Sequence, residues 1–114
     1  MIRHTVSFAL VHPAGSDAER GFLDEARRTL PGIPGVEDFT VSRQVSPKSD
    51  HAFQFSMAFA DQAAYDAYDG HPDHRAFVST RWQSEVSSFQ ELDLVALDEG
   101  RPAPPGVDEA RPIA

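Results

Sequence analysis

The chain has 114 residues, 40% hydrophobic and 25% charged, the proportions of one ordinary globular domain with a real core and little stability to spare. A net charge of -8 repels phosphate backbones and anionic lipid, so neither nucleic acid nor a membrane surface is an expected partner. The lack of cysteine removes disulfides and thiolate chemistry; no charged leader or apolar run near the ~20 residues of a membrane span is present, and a soluble, cytoplasmic protein is expected.

Residues 2–11 alternate, with Ile2, His4, Val6, Phe8 and Leu10 on one face and Arg3, Thr5, Ser7, Ala9 and Val11 on the other. Period two predicts a strand, and His4 is the one titratable ring on its apolar side. His12-Pro13-Ala14-Gly15 makes a turn, after which Ser16 and Glu19 have the spacing of a capping box. Phe22, Leu23, Ala26 and Leu30 follow at helical spacing until Pro31-Gly32 stops the helix.

A second strand is predicted from Val36 to Val45, with Phe39, Val41, Arg43 and Val45 on one face. The third, Ala52 to Ala60, has the clearest alternation: Phe53, Phe55, Met57 and Phe59 against Gln54, Ser56 and Ala58. Asp61 caps a short helix carrying Ala64, Tyr65 and Tyr68, and Gly70-His71-Pro72 breaks it. Pro72 suits the first turn of a further helix with Val78, Trp82 and Val86 as its apolar stripe. The last strand is expected at Phe89 to Asp98. Residues 99–114 hold Pro102, Pro104, Pro105 and Pro112, which exclude a regular helix and leave a disordered tail or an extended arm.

The predicted order is β-α-β-β-α-β. This implies an α+β, ferredoxin-like domain over residues 1–98, with a four-stranded antiparallel sheet and helices on one face. The opposite face would carry Thr5, Ser7, Ala9, Ser42, Gln54 and Ser56, all small or uncharged. A solvated sheet face ordinarily carries Lys and Glu, so a second copy of the chain is expected to cover this one.

Met-Ile-Arg-His-Thr-Val at residues 1–6, Ile-Pro-Gly-Val at 33–36, Val-Ser-Pro at 45–47, and His71-Pro72-Asp73-His74 followed by Ala76-Phe77-Val78 occur in a fixed order over nearly the whole chain. In this combination the sequence resembles the stress-responsive A/B barrel (Dabb) domain of the dimeric α+β barrel superfamily. The resemblance implies a sheet that pairs with a second copy to form a barrel, but no single activity. Some relatives are stress proteins without assigned chemistry. A plant branch comprises polyketide cyclases, whose catalytic tyrosine and histidine match Tyr68 and His74 here, while an early-strand histidine matches His4. The proline-rich tail departs from the family pattern.

These residues define a candidate site. His74 would lie in the first turn of the helix opened by Pro72, where the helix end disfavours imidazolium and leaves a neutral base; the plainer alternative is a ring that bonds a backbone carbonyl and fixes the loop. Tyr68 could donate to a substrate carbonyl, or be a core aromatic whose hydroxyl reaches the surface, and Tyr65 competes for its role. His4 needs a buried partner whatever its function. A pocket between sheet and helices would be lined by Leu10, Phe53, Phe55, Phe59 and Phe77 and take a small apolar ligand without a cofactor. His71 and His74 lack a third ligand at useful spacing, so no metal is expected. The competing readings are thus a small-molecule site, which if catalytic moves a proton beside a carbonyl, and a non-catalytic dimeric module with a filled interior. A cofactor-free monooxygenase or isomerase of the same superfamily is a third.

Overall fold

The computed structural model describes residues 1–98; the proline-rich segment expected at 99–114 lies outside them. The elements run β1 (Ile2–Leu10), α1 (Asp17–Thr29), β2 (Glu37–Arg43), β3 (Phe53–Phe59), α2 (Gln62–Asp69), α3 (Pro72–Phe77), α4 (Gln83–Glu85) and β4 (Val86–Leu94). A 3-10 turn at Leu30–Gly32 ends α1, and a π turn at Val78–Trp82 joins α3 to α4. The sheet is antiparallel throughout, in the order β2-β3-β1-β4, so β1 and β3 are central and β2 and β4 are edges.

Alternation on the central strands decides which face is buried. His4, Val6 and Phe8 of β1 pair with Met57, Phe55 and Phe53 of β3, and all six are buried beneath the helices. Helix α1 adds Phe22, Leu23 and Ala26 from one stripe. Phe8 lies 4.6 Å from Phe55 and 5.1 Å from Trp82 between ring centroids, a tilted packing that aromatic quadrupoles favour. The α1 entry is fixed reciprocally: the Glu19 amide donates to Ser16 Oγ at 3.2 Å, and Glu19 Oε1 accepts from the Gly15 amide at 3.0 Å. Gly15 has a φ of 77°, a conformation natural to glycine, and this turns the chain into the helix.

Three sequence expectations change, one of them the far end of the last strand, which stops at Leu94 and not at Asp98. Strand β2 ends at Arg43, and Val45 is 86% exposed beyond it, because pairing with β3 runs only from Glu37 to Arg43. Val86 does not extend the helical stripe of Val78 and Trp82; it opens β4, opposite Leu10. The helix stops where Glu85 is held. Its carbonyl accepts from the Val11 amide at 2.8 Å, and its carboxylate lies 2.6 Å from both His12 Nε2 and Arg81 Nε. The chain is thereby turned back into the sheet three residues earlier than alternation indicated.

Register places Thr5, Ser7 and Ala9 on the face away from the helices, beside Gln54, Ser56, Thr40 and Ser42. On the same face β4 adds Leu92 opposite Thr5 and Leu94 opposite Arg3, 40% and 49% exposed. Among the described residues, no helix is long and apolar enough to cross a membrane.

Candidate functional site

A cavity of about 350 Å³ opens between the sheet and the second helical connection. Its wall brings together His4 from β1 with Tyr68 from the end of α2 and His74 from α3, the last two close in sequence and His4 far from both. Phe55 and Phe77 line it too, whereas Leu10, Phe53 and Phe59 do not form its wall. Phe53 packs instead on Phe8 and beneath the Arg43 guanidinium, and Phe59 stacks on Tyr65 at 5.0 Å.

The local sequence explains how the tyrosine and histidine meet. Helix α2 begins at Asp61, whose carboxylate accepts from the Ala64 amide at 2.9 Å, and ends at Gly70. His71 then caps α3 by accepting from the Asp73 amide at 3.0 Å, with Pro72 as the first helical residue. This tight corner sets the Tyr68 and His74 ring centroids 4.5 Å apart. His74 Nδ1 donates to the Asp69 carbonyl at 2.9 Å, so the tautomer this bond selects in the neutral ring is the one with Nε2 as the acceptor. The plain structural bond thus occupies one ring nitrogen, and among the described residues the other makes no hydrogen bond.

The two tyrosines differ in what their hydroxyls do. Tyr65 donates to the Asp93 carboxylate, at 3.0 and 2.9 Å from its two oxygens, and lies 3.0 Å from His4 Nδ1. Tyr68 is 3% exposed, and its hydroxyl bonds no described residue. Burial, with the nearby charges of Asp69 and Glu91, pushes the Tyr68 phenol well above its ordinary value of 10.0. It remains a proton donor at neutral pH. Burial, then the bond to Asp93, raises Tyr65 in the same direction.

His4 belongs to a second network that periodicity alone did not disclose. It is 5% exposed and faces Asp93 across the β1–β4 pair, with Nδ1 donating to Asp93 Oδ1 at 2.6 Å. Its Nε2 lies 3.7 Å from Glu91 Oε2, on the cavity wall. Glu91 and Asp93 alternate on β4, so both point to the helix side. The signal was present in the sequence as two carboxylates at period two, but reading it requires the register that places Asp93 opposite His4.

A wider hollow of about 570 Å³ lies outside the helix layer, between α1 and α3. Two of its charged groups serve one another: Arg28 pairs with Glu25 at 2.6 Å, and the Thr29 hydroxyl donates to Glu25 at 2.7 Å. The hydroxyl bond and then Arg28 hold the Glu25 carboxyl below its ordinary value. Among the described residues no group of three or more His, Asp or Glu is placed to hold a metal ion.

The model of the stress responsive A/B barrel domain matches residues 2–96. This chain belongs to the stress-responsive A/B barrel (Dabb) family. A Dabb family protein with a ferredoxin-like fold from Mesorhizobium loti is 54% identical over 84% of this chain and 96% of its own, with a TM-score of 0.83. The Dabb fold extends to more distant structures. A dimeric ferredoxin-like protein of unknown function from Thermobifida fusca is 17% identical over 83% of this chain and 90% of its own, with a TM-score of 0.69. Hydroxynitrile lyase from Passiflora edulis is 11% identical over 83% of this chain and 92% of its own, with a TM-score of 0.72. At these identities the last two share the fold alone with this Dabb domain. No curated protein matches the chain.

Proposed function

We propose that this Dabb domain binds a small carbonyl compound in the cavity and moves a proton on the carbon beside the carbonyl, without a cofactor. His74 Nε2 would take the proton. The C–H electron pair would pass into an enolate, whose oxygen accepts a hydrogen bond from the Tyr68 hydroxyl. Once the proton on His74 Nε2 has traded with solvent, its return to carbon completes an exchange; attack of the enolate carbon on a second carbonyl would instead form a cyclase-type carbon–carbon bond, the π pair of that carbonyl passing to its oxygen, which takes the proton from His74 Nε2. The observation that carries this reading is the pair on one cavity wall: His74 Nε2 and the Tyr68 hydroxyl, neither bonded to another described residue, their rings 4.5 Å apart. A non-catalytic module would have a filled interior, and a cavity of about 350 Å³ weighs against it.

The cavity faces away from the small, uncharged side of the sheet. We propose that a second copy covers that side, through Thr5, Ser7, Ala9, Ser42, Gln54 and Ser56, in keeping with the related structures described as dimeric. A chain without cysteine fits the reducing cytoplasm.

The test of the chemistry is proton-deuterium exchange into acetylacetone, an uncharged diketone, followed by NMR in heavy water. Catalysed exchange should fall at least ~100-fold in His74→Ala and ~10-fold or more in Tyr68→Phe, the scale of losing a general base and one oxyanion donor. Exchange at the uncatalysed rate with the native protein, or equal rates in all three proteins, would overturn the assignment.

A further inference from the structure

We propose that Glu91 selects the charge of the ligand: the cavity takes an organic ammonium compound and rejects carboxylates and phosphates. This rests on the small-molecule reading of the same cavity and adds the class of molecule it admits.

The wall is electrostatically one-sided. Its formally charged residues are Asp69 and Glu91, with no lysine or arginine among the lining residues. Asp93 stands immediately behind His4. Arg81, next to the lining residue Trp82, is turned away to Glu85 at 2.6 Å. A carboxylate entering this space would meet carboxylates, and the titratable rings on the wall already face carboxylates of their own, His4 those of Asp93 and Glu91 and His74 that of Asp69 at 3.9 Å, within a chain of net charge -8. Focusing of field lines in a low-dielectric cleft strengthens that repulsion.

Glu91 keeps most of its hydrogen-bonding capacity. Its carboxylate lies 3.7 Å from His4 Nε2, within ion-pair distance but beyond hydrogen-bond reach, and makes no hydrogen bond to another described residue. Trp82 and Phe89 line the same cavity, their rings edge to face at 5.6 Å. Aromatic faces beside a carboxylate are the combination that holds an alkylammonium group: ring quadrupoles attract the cation and the carboxylate neutralises it. Tyr68, buried and on the same wall, keeps its hydroxyl unbonded to any described residue and so available to the ligand's carbonyl. The two polar anchors thus point to a molecule carrying a basic nitrogen and a carbonyl.

Trp82 is the only tryptophan in the chain and lines the cavity, so its fluorescence reports occupancy directly. Benzylamine, benzyl alcohol and benzoate present one ring with a positive, a neutral and a negative head. Titrated near neutral pH, they should bind in that order, with benzylamine about five- to tenfold tighter than the alcohol, the scale of a charge pair partly open to solvent. Added salt should weaken benzylamine and leave the alcohol unchanged. Glu91→Gln should erase the preference for benzylamine and improve benzoate. Glu91 sits on an edge strand with its side chain 49% exposed, so the variant is expected to fold, and the salt series on the native protein gives an independent measure. Benzoate binding as tightly as benzylamine, or a benzylamine preference unchanged by Glu91→Gln or by salt, would overturn the charge selection while leaving the cavity a ligand site. Failure of all three probes to alter Trp82 fluorescence would overturn both.

Discussion

Replacing Asp93 with alanine tests the network that buries His4. The carboxylate accepts from His4 Nδ1 at 2.6 Å and from the Tyr65 hydroxyl at 2.9 Å. Hydrogen bonds to a charged group contribute about 1.5–3 kcal/mol each, and a buried histidine left without its acceptor costs about 1–3 kcal/mol. Two features reduce the sum. The Asp93 side chain is 46% exposed, so water replaces part of what it supplies, and Tyr65 already lies 3.0 Å from His4 Nδ1 and can accept in its place. A net loss of ~2 kcal/mol is expected, which at roughly 4 °C per kcal/mol for a domain of this size lowers Tm by about 8 °C. Urea denaturation and thermal melting measure it, and Tyr65→Phe completes a double-mutant cycle. The double variant should depart from additivity by at least ~0.5 kcal/mol, because Tyr65 is the fallback partner of His4. A loss below ~0.5 kcal/mol for Asp93→Ala, or additive effects in the cycle, would refute a coupled His4–Asp93–Tyr65 network.

Both tyrosines of the chain are held above their ordinary value of 10.0, by burial first in each case. The unfolded chain therefore loses phenolic protons before the folded one, so stability is level below the unfolded value and falls as pH rises above it. Phenolate absorbance should appear together with loss of the folded circular dichroism signal; a tyrosine that ionises near pH 10 in the intact fold would contradict its described surroundings. On the open sheet face, Thr5→Glu with Gln54→Glu should halve the mass seen by light scattering at micromolar concentration, since like charges brought together across a symmetric interface cost several kcal/mol. A monomeric native protein, or a double variant still dimeric, would refute the proposed interface.

How far the sequence could be read follows from where chemistry is local. Phe53, Phe55, Met57 and Phe59 alternate over a full strand, and Ser16 with Glu19 marks a helix start, so these elements needed no tertiary information. The end of the last helix was different. Val86 has helical spacing from Trp82, and only the tertiary hold on Glu85 by Val11, His12 and Arg81 ends the helix before it. The site was legible to the same degree. Tyr68 and His74 are close in sequence and meet through a short corner, so their juxtaposition could be expected. Asp93 and Glu91 reach the site only through the register of β4 on β1, which no local pattern encodes. Tyr65 and Tyr68 are equivalent in sequence, and the Asp93 carboxylate is what separates them.

The central claim is that His74 Nε2 acts as a base, and chemical rescue tests it most directly. His74→Ala leaves a space beside Tyr68 that free imidazole can enter. Added imidazole should restore deuterium exchange into acetylacetone in proportion to its unprotonated form, and should do nothing for Tyr68→Phe. Exchange by His74→Ala that already equals the native rate, or that stays at the uncatalysed rate however much imidazole is added, would contradict the account.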